Sequence, residues 1–266
     1  PRLDLGRGEP LRQIIALMGP TVFGSAVYLI NMSVSQAIGL QVNASSVAVL
    51  NLASRLMELP IGVFAVAVTT VVFPLISRYA AAGDWANMAT AYRKGMRLIL
   101  TINVPAAVGL FLFAEPVIRV LFQRGAFTSD SVAAMRPVLM VYALGLPFLS
   151  FTNIVLRAFY AQRDTVTPVK AAVLSFVVNL SLSLLLMGPL GTLGLAVAGN
   201  VATVVQAVYL QVRLAQTRDG FGFHHVLRDL GKVLLAALAA VPLAAAAAPE
   251  SFTIDPTHSF VYYEVE

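Results

Sequence analysis

Residues 171–212 read AAVLSFVVNLSLSLLLMGPLGTLGLAVAGNVATVVQAVYLQV and contain no Asp, Glu, Lys or Arg. A helix needs about 20 mainly apolar residues to cross the hydrocarbon core of a bilayer, so this stretch is long enough for two crossings. The segment GPLGTLG at 188–194 divides it, and its Gly and Pro residues favour a tight turn. The stretch therefore predicts two transmembrane helices that are antiparallel neighbours.

The rest of the chain follows the same pattern. Of its 266 residues, 58% are hydrophobic and 12% charged, about half the charged fraction of a typical soluble domain. Four further charge-free runs occupy 13–54, 98–114, 137–156 and 233–249. We predict an all-α polytopic membrane bundle of about seven transmembrane helices, near 14–38, 46–78, 94–114, 131–160, 168–187, 191–214 and 227–248.

The basic residues predict the orientation of the chain in the membrane. Of the 18 Lys and Arg, fourteen lie before span one or in alternate loops and the span ends beside them, three lie in the other loops and the span ends beside those, and Arg55 lies in the interior of a span. Basic residues concentrate on the cytoplasmic side, which predicts a cytoplasmic amino end. The net charge of +5 is thus explained by topology rather than by nucleic-acid binding. The chain has no initiator Met and no signal-peptide architecture, and we expect it to begin partway through a longer protein.

Span two contains two ionisable residues in its interior, Arg55 and Glu58. A charge at the centre of a span costs about 2.5–3.5 kcal/mol on insertion scales, so such a residue normally faces a bundle interior or a wet cavity. Steps of three and four along the chain place Arg55 and Glu58 on one helical face with other polar or small residues. The residues of this face are Asn51, Arg55, Glu58, Gly62, Ala65 and Thr69.

Two plainer explanations compete with a cavity. Arg55 and Glu58 could neutralise each other at a spacing of three residues, or Arg55 could extend to the membrane surface. The cavity hypothesis predicts polar stripes on other spans, and these occur at Asn31, Ser35, Asn179 and Asn200. Such residues also serve as hydrogen-bonding contacts between helices.

A buried guanidinium suits an anionic ligand, because it binds phosphate or carboxylate in a bidentate way. We therefore predict that Arg55, Glu58 and Asn51 bind substrate, and that the polar residues on the other spans, with Thr69, line the cavity. No triad, phosphate-binding Gly loop or metal-ligand cluster accompanies them, and the chain has no Cys. The sequence predicts no enzyme, no catalytic residues, no metal and no cofactor.

Three segments resemble the MurJ/MviN family of bacterial lipid II flippases, within the multidrug/oligosaccharidyl-lipid/polysaccharide exporter superfamily. They are SRLMELPIGVFAVAVTTVVFPLISR at 54–78, VLFQRGAFT at 120–128 and RAFYAQRDTVTPVK at 157–170. The family has fourteen spans in two lobes of six and two extra helices. The resemblance implies a cytoplasmic lead-in from a missing upstream lobe (1–13), the carboxyl-terminal lobe (14–214), a loop with one extra helix (215–248) and an external or truncated tail (249–266).

The resemblance also implies a mechanism, the flipping of lipid II by alternating access. The pyrophosphate and sugar headgroup would bind in a cavity while the polyprenyl tail stays in the surrounding lipid. Arg55 matches an arginine that relatives need, and Glu58 the acid after it. Some relatives have an acid before that arginine, where this chain has Ser54, and some bind sodium through acids on the helices that here carry only Asn or Thr at the polar positions.

Other segments admit two interpretations each. Trp85, Met88, Tyr92 and Met96 recur at helical spacing beside basic residues, which predicts either a short interfacial helix or an extension of span three. Asp164 could cap span five or contact ligand.

The functional alternatives are a related exporter of other polyprenyl-linked oligosaccharides or small molecules, and a non-transporting membrane scaffold. A cation exporter would favour a cavity dominated by acids, whereas Glu58 is the sole acid of this stripe.

Overall fold

The computed structural model describes residues 9–43, 45–62, 66–217 and 220–246, and in these ranges the chain is helical with no strand. Its helices are α1 (Glu9–Val42), α2 (Ser46–Pro60), α3 (Val66–Ala81), α4 (Trp85–Leu112), α5 (Ala114–Phe122), α6 (Ser129–Ala161), α7 (Val166–Leu190), α8 (Thr192–Thr217) and α9 (Phe223–Ala246). The predicted all-α class is confirmed. The tail at 249–266 lies outside the described residues.

Five helical segments are long and apolar enough to cross a membrane by length and composition, namely Val22–Val42 of α1 and helices α4, α6, α7 and α8. Of the other two predicted spans, 46–78 comprises the shorter helices α2 and α3, and 227–248 falls on α9, whose described apolar part is only Leu230–Pro242. The total of seven spans stays a prediction.

The turn predicted at 188–194 is present and very short. Gly191 alone separates α7 from α8, and its φ of +55° lies in the left-handed region that glycine adopts most readily. A Cβ on Gly194 would overlap the carbonyl of Leu186. The two helices pack closely along their lengths, which confirms that they are antiparallel neighbours.

The α-helical geometry of span two changes at Pro60. Helix α2 ends at Pro60, and Ile61 and Gly62 form a π-helical turn before α3. A proline inside a helix removes one backbone hydrogen bond and crowds the carbonyl four residues earlier, which gives a physical reason for the change of helical geometry at this point.

The hypothesis of a separate interfacial helix at 85–97 is wrong. Helix α4 runs without interruption from Trp85 to Leu112, and Asp84 caps it by accepting a hydrogen bond from the Asn87 amide at 3.1 Å. Met88, Tyr92 and Met96 are buried in the protein core rather than facing lipid. Helical spacing looks the same for a face that meets lipid and a face that meets other helices, so the sequence left both possibilities open.

The loop between spans three and four contains an unpredicted helix, α5. Glu115 in its first turn accepts hydrogen bonds from Arg119 of the same helix and from Arg136 of α6. Gly125 then makes a tight turn with φ +58°. Thr128 occupies the N-cap of α6, but its side chain makes no capping hydrogen bond.

The core is built from helices that are distant in sequence. Helix α8 packs between α7 and α6, α6 packs against α4, and α1 lies along α7. One cluster of buried apolar side chains joins α4, α6 and α8, and a second joins α2, α5 and α6. This packing places α1, α2 and part of α6 around a common polar pocket.

Candidate functional site

Arg55 and Glu58 line a pocket of about 290 Å³ between α1, α2 and α6, which we call the Arg55 pocket. Its polar lining side chains are Tyr28, Ser35, Gln36, Asn51, Ser54, Arg55, Glu58 and Tyr142. The predicted substrate-binding residues Asn51, Arg55 and Glu58 are thus brought to one place. They lie at steps of four and three on α2, and all three are exposed.

The opposite face of α2 explains this orientation. Ser46, Val49, Ala53, Leu56 and Met57 are its buried residues, and Val49, Ala53 and Leu56 belong to the cluster shared with α5 and α6. Because this apolar face packs inward, the polar face of the same helix must point away from the core. The packing of α2 therefore sets the direction of the Arg55 side chain.

Arg55 has no partner in the described part of the chain. No hydrogen bond or ion pair within the described residues involves either Arg55 or Glu58. Mutual neutralisation, the first plainer explanation, therefore receives no support from the geometry. The guanidinium keeps all its donors for water or for a ligand, which is the arrangement that an anion-binding pocket requires.

Three predicted cavity residues form a hydrogen-bonded group between α1 and α7. The Nδ2 of Asn179 donates to Asn31 Oδ1 at 2.7 Å and to Ser35 Oγ at 2.9 Å. Ser183 Oγ donates to Asn179 Oδ1 at 3.4 Å. Ser35 also lines the Arg55 pocket, whereas Asn179 is 5% exposed and serves the contact between the helices.

The remaining predicted residues lie elsewhere. The Asn200 amide donates to the carbonyl of Val141 and lies against Gly145, so it fastens α8 to α6. Thr69 belongs to α3, but its side chain lies outside the described residues. Asn200 is not among the residues that line the Arg55 pocket in the described structure.

Two of the pocket residues that were not among the predicted site residues come from other helices. Tyr142 enters from α6 and Gln36 from α1. Each is a polar side chain within a charge-free run, and Gln36 follows Tyr28 and Met32 at steps of four. That spacing could have revealed Gln36. Tyr142 has no polar neighbours at helical spacing, so its position became apparent only from the packing of α6 against α2.

Asp164 fulfils the capping prediction. Its carboxylate accepts hydrogen bonds from the backbone amides of Val166 and Thr167 and from the Thr167 hydroxyl, at 3.0, 2.9 and 2.6 Å. These contacts satisfy amides at the start of α7 that would otherwise lack partners. The structural interpretation of Asp164 is therefore confirmed.

Sequence comparison gives the family. The family model described as "Lipid II flippase MurJ" matches residues 2–263. A "Probable lipid II flippase MurJ" of Haemophilus influenzae is 33% identical over 243 residues, 88% of this chain and 47% of that protein. One from Vibrio cholerae is 31% identical over 232 residues, 85% of this chain and 44% of that protein. The chain spans about half the length of these curated relatives.

Solved structures agree with this assignment. "Lipid II flippase MurJ, inward closed conformation" superposes with a TM-score of 0.76 and 26% identity, covering 93% of this chain and 51% of that one. An outward-facing multidrug resistance MATE family transporter of the MOP superfamily gives a TM-score of 0.69 at 18% identity, covering 90% of this chain and 55% of that one. At this low identity the similarity shows the fold alone. The chain belongs to the lipid II flippase MurJ family.

Proposed function

We propose that this chain forms one lobe of a transporter that flips lipid II, the lipid-linked peptidoglycan precursor, across the bacterial inner membrane. The lobe would act by alternating access with a second lobe, which corresponds to the half of the relatives that this chain does not cover. Its amino end would face the cytoplasm, as the distribution of basic residues predicts. The process is transport for cell-wall biogenesis rather than enzymatic catalysis.

The observation that supports this proposal best is the unpartnered guanidinium of Arg55. An arginine within a predicted span is expensive unless water, a counter-charge or a ligand compensates it. Within the described ranges no protein group does so, while the pocket beside it holds about 290 Å³. A pyrophosphate would fit this role, since it offers paired anionic oxygens to a planar guanidinium.

Glu58 balances the charge of Arg55 in the described lining. It lies one helical turn from Arg55 and is the only acidic residue among those lining the pocket in the described structure. A pocket for a small cation would need acids in excess of bases, which this lining lacks, so it is the unpartnered guanidinium that favours an anionic headgroup. A related exporter of other polyprenyl-linked oligosaccharides is the alternative, because it would present the same pyrophosphate.

Substitution of Arg55 tests the proposal in the full-length protein, in cells depleted of their own flippase. We expect Arg55→Ala to abolish growth at normal membrane levels, since a charge-assisted pair of hydrogen bonds is worth about tenfold to a hundredfold in affinity. Arg55→Lys should restore growth only in part, because an ammonium cannot bind in a bidentate way.

The matched control is Arg213→Ala, which removes an exposed arginine at the end of α8 that contacts only its own helix. This variant should support normal growth. Normal growth of Arg55→Ala cells would overturn the assignment of Arg55 as the headgroup ligand.

A further inference from the structure

A second pocket adjoins the Arg55 pocket, and we call it the Gln206 pocket. It holds about 380 Å³ between α1, the end of α6, the start of α7 and α8. Tyr28 lines both pockets. The Gln206 pocket extends from Tyr28 towards Gly24, and the Arg55 pocket extends from Tyr28 towards Gln36. At 1.5 Å per residue, Tyr28 and Gln36 are about 12 Å apart along α1.

The two pockets differ in charge. The Arg55 pocket contains a guanidinium and a carboxylate, whereas no Lys, Arg, Asp or Glu is among the residues that line the Gln206 pocket in the described structure. Its lining is mainly apolar and includes the aromatic rings of Tyr28 and Tyr160 beside the amide of Gln206. A few polar groups on an otherwise apolar wall are typical of a small-molecule site.

Three of the polar side chains in this lining are not used by the protein itself, whereas Ser25, which also lines the pocket, already has a partner. Over the described ranges, no hydrogen bond involves the side chains of Tyr28, Tyr160 or Gln206. Each hydroxyl can donate and accept, and the amide offers two donors and one acceptor. Gln206 is partly buried, and such an amide normally finds a partner, while the exposed Tyr28 and Tyr160 remain open to a ligand. This pocket therefore suits a neutral ligand that is rich in hydroxyl groups.

The wall that α1 contributes is held firmly. Asn179 binds Asn31 and Ser35 of α1, and Gly24 allows α1 to approach α7 so closely that an added Cβ would lie 3.3 Å from Val169. These contacts lie on either side of Tyr28 in the sequence. Both pockets therefore share one fixed boundary rather than a mobile one.

We propose that the Gln206 pocket binds the sugar next to the pyrophosphate, and that Tyr28 is the residue that positions this sugar. In a polyprenyl-pyrophosphate saccharide the first sugar is bonded directly to the phosphate, so the two parts need adjoining pockets, one charged and one neutral. The apolar face of a sugar ring packs on an aromatic ring, and its hydroxyls bind amides and phenols. This inference rests on the proposed function, because it assumes that Arg55 holds the phosphate.

The test uses native mass spectrometry to measure the binding of two lipids to the purified full-length protein. One lipid is polyprenyl pyrophosphate, and the other is the same lipid with its linked disaccharide. Tyr28→Ala should weaken binding of the disaccharide lipid about fivefold to tenfold more than binding of the sugar-free lipid, because Tyr28 lines both pockets but only the disaccharide lipid occupies the Gln206 pocket. Tyr28→Phe, which keeps the aromatic ring, should weaken binding of the disaccharide lipid by a smaller factor than Tyr28→Ala does. Phe23→Ala removes an exposed aromatic ring of α1 that is absent from both linings and should change neither lipid.

The outcomes separate the two proposals. Suppose that Arg55→Ala weakens the binding of both lipids, while Tyr28→Ala weakens the binding of neither or of both by the same factor. The sugar site is then overturned and the phosphate site stands. If the unsubstituted protein binds neither lipid, the proposed function fails and the sugar site fails with it. Tyr28 is 66% exposed, so its truncation leaves the core intact.

Discussion

At the scale of single residues, a buried polar contact at one end of the bundle fixes the segment that leads into α9. The Tyr92 hydroxyl donates to Gln211 Oε1 at 2.5 Å, and Gln211 Nε2 donates to the backbone carbonyl of Phe221 at 2.7 Å. The rings of Tyr92 and Phe221 also contact each other, with centroids 5.2 Å apart. All three residues are almost fully buried, so each polar group depends on its protein partner.

Tyr92→Phe is expected to destabilise the protein by about 1–3 kcal/mol, because the buried oxygen of Gln211 loses its donor. The measurement is the thermal unfolding of the purified protein in detergent. Tyr209→Phe is the control, since its hydroxyl makes only a long 3.5 Å contact with exposed Arg213, and it should shift stability by less than about 0.5 kcal/mol. Equal melting temperatures for both variants would contradict the role given to Tyr92.

At the scale of elements, the turn between α7 and α8 depends on close backbone approach. Gly194→Ala should cost about 1–3 kcal/mol, because the added methyl group would meet the carbonyl of Leu186 and a backbone atom cannot move aside cheaply. Gly188→Ala is a matched control in the same segment, since nothing lies within 4 Å of its Cβ position. That variant should be neutral or slightly stabilised, as alanine favours helix. If the two alanines destabilise the protein equally, the turn does not depend on this contact.

Glu115 of α5 makes one ion pair within its own helix, with Arg119, and one with Arg136 of α6, and both depend on pH. The hydrogen bond from Arg119, followed by the charges of Arg119 and Arg136, lowers the pKa of Glu115 from its ordinary value. Because the pKa is lower in the folded state, these contacts stabilise α5 above the pKa of the unfolded chain, about 4.3, and are lost as the pH falls through the lowered value.

We therefore expect the amide protection of α5, corrected for intrinsic exchange rates, to fall below about pH 4 in hydrogen-exchange measurements. Glu115→Gln should give weaker protection that no longer changes over this pH range. A wild-type protein whose α5 protection matches that of Glu115→Gln at every pH would show that the ion pairs contribute nothing.

At the scale of the whole molecule, the sequence predicted the membrane class, the all-α fold and the pairing of α7 with α8. These predictions follow from long charge-free runs and from the glycine and proline residues at 188–194, which are local properties of the sequence. It could not establish that α4 is continuous with its face buried at Met88 and Tyr92, nor that Asn179 and Asn200 fasten helices together. The sequence pattern of a polar or apolar helical face is the same whichever neighbour covers that face.

The sequence by itself determined that Arg55 and Glu58 share a helical face with Asn51, because helical periodicity fixes which residues lie together on α2. Only the tertiary structure decided what that face meets. The opposite face packs against α5 and α6, and this packing orients the Arg55 side chain towards a pocket that Tyr28 of α1 and Tyr142 of α6 also line. Contacts between distant segments depend on how whole helices fit against one another, and this information is not contained in any local pattern of residues.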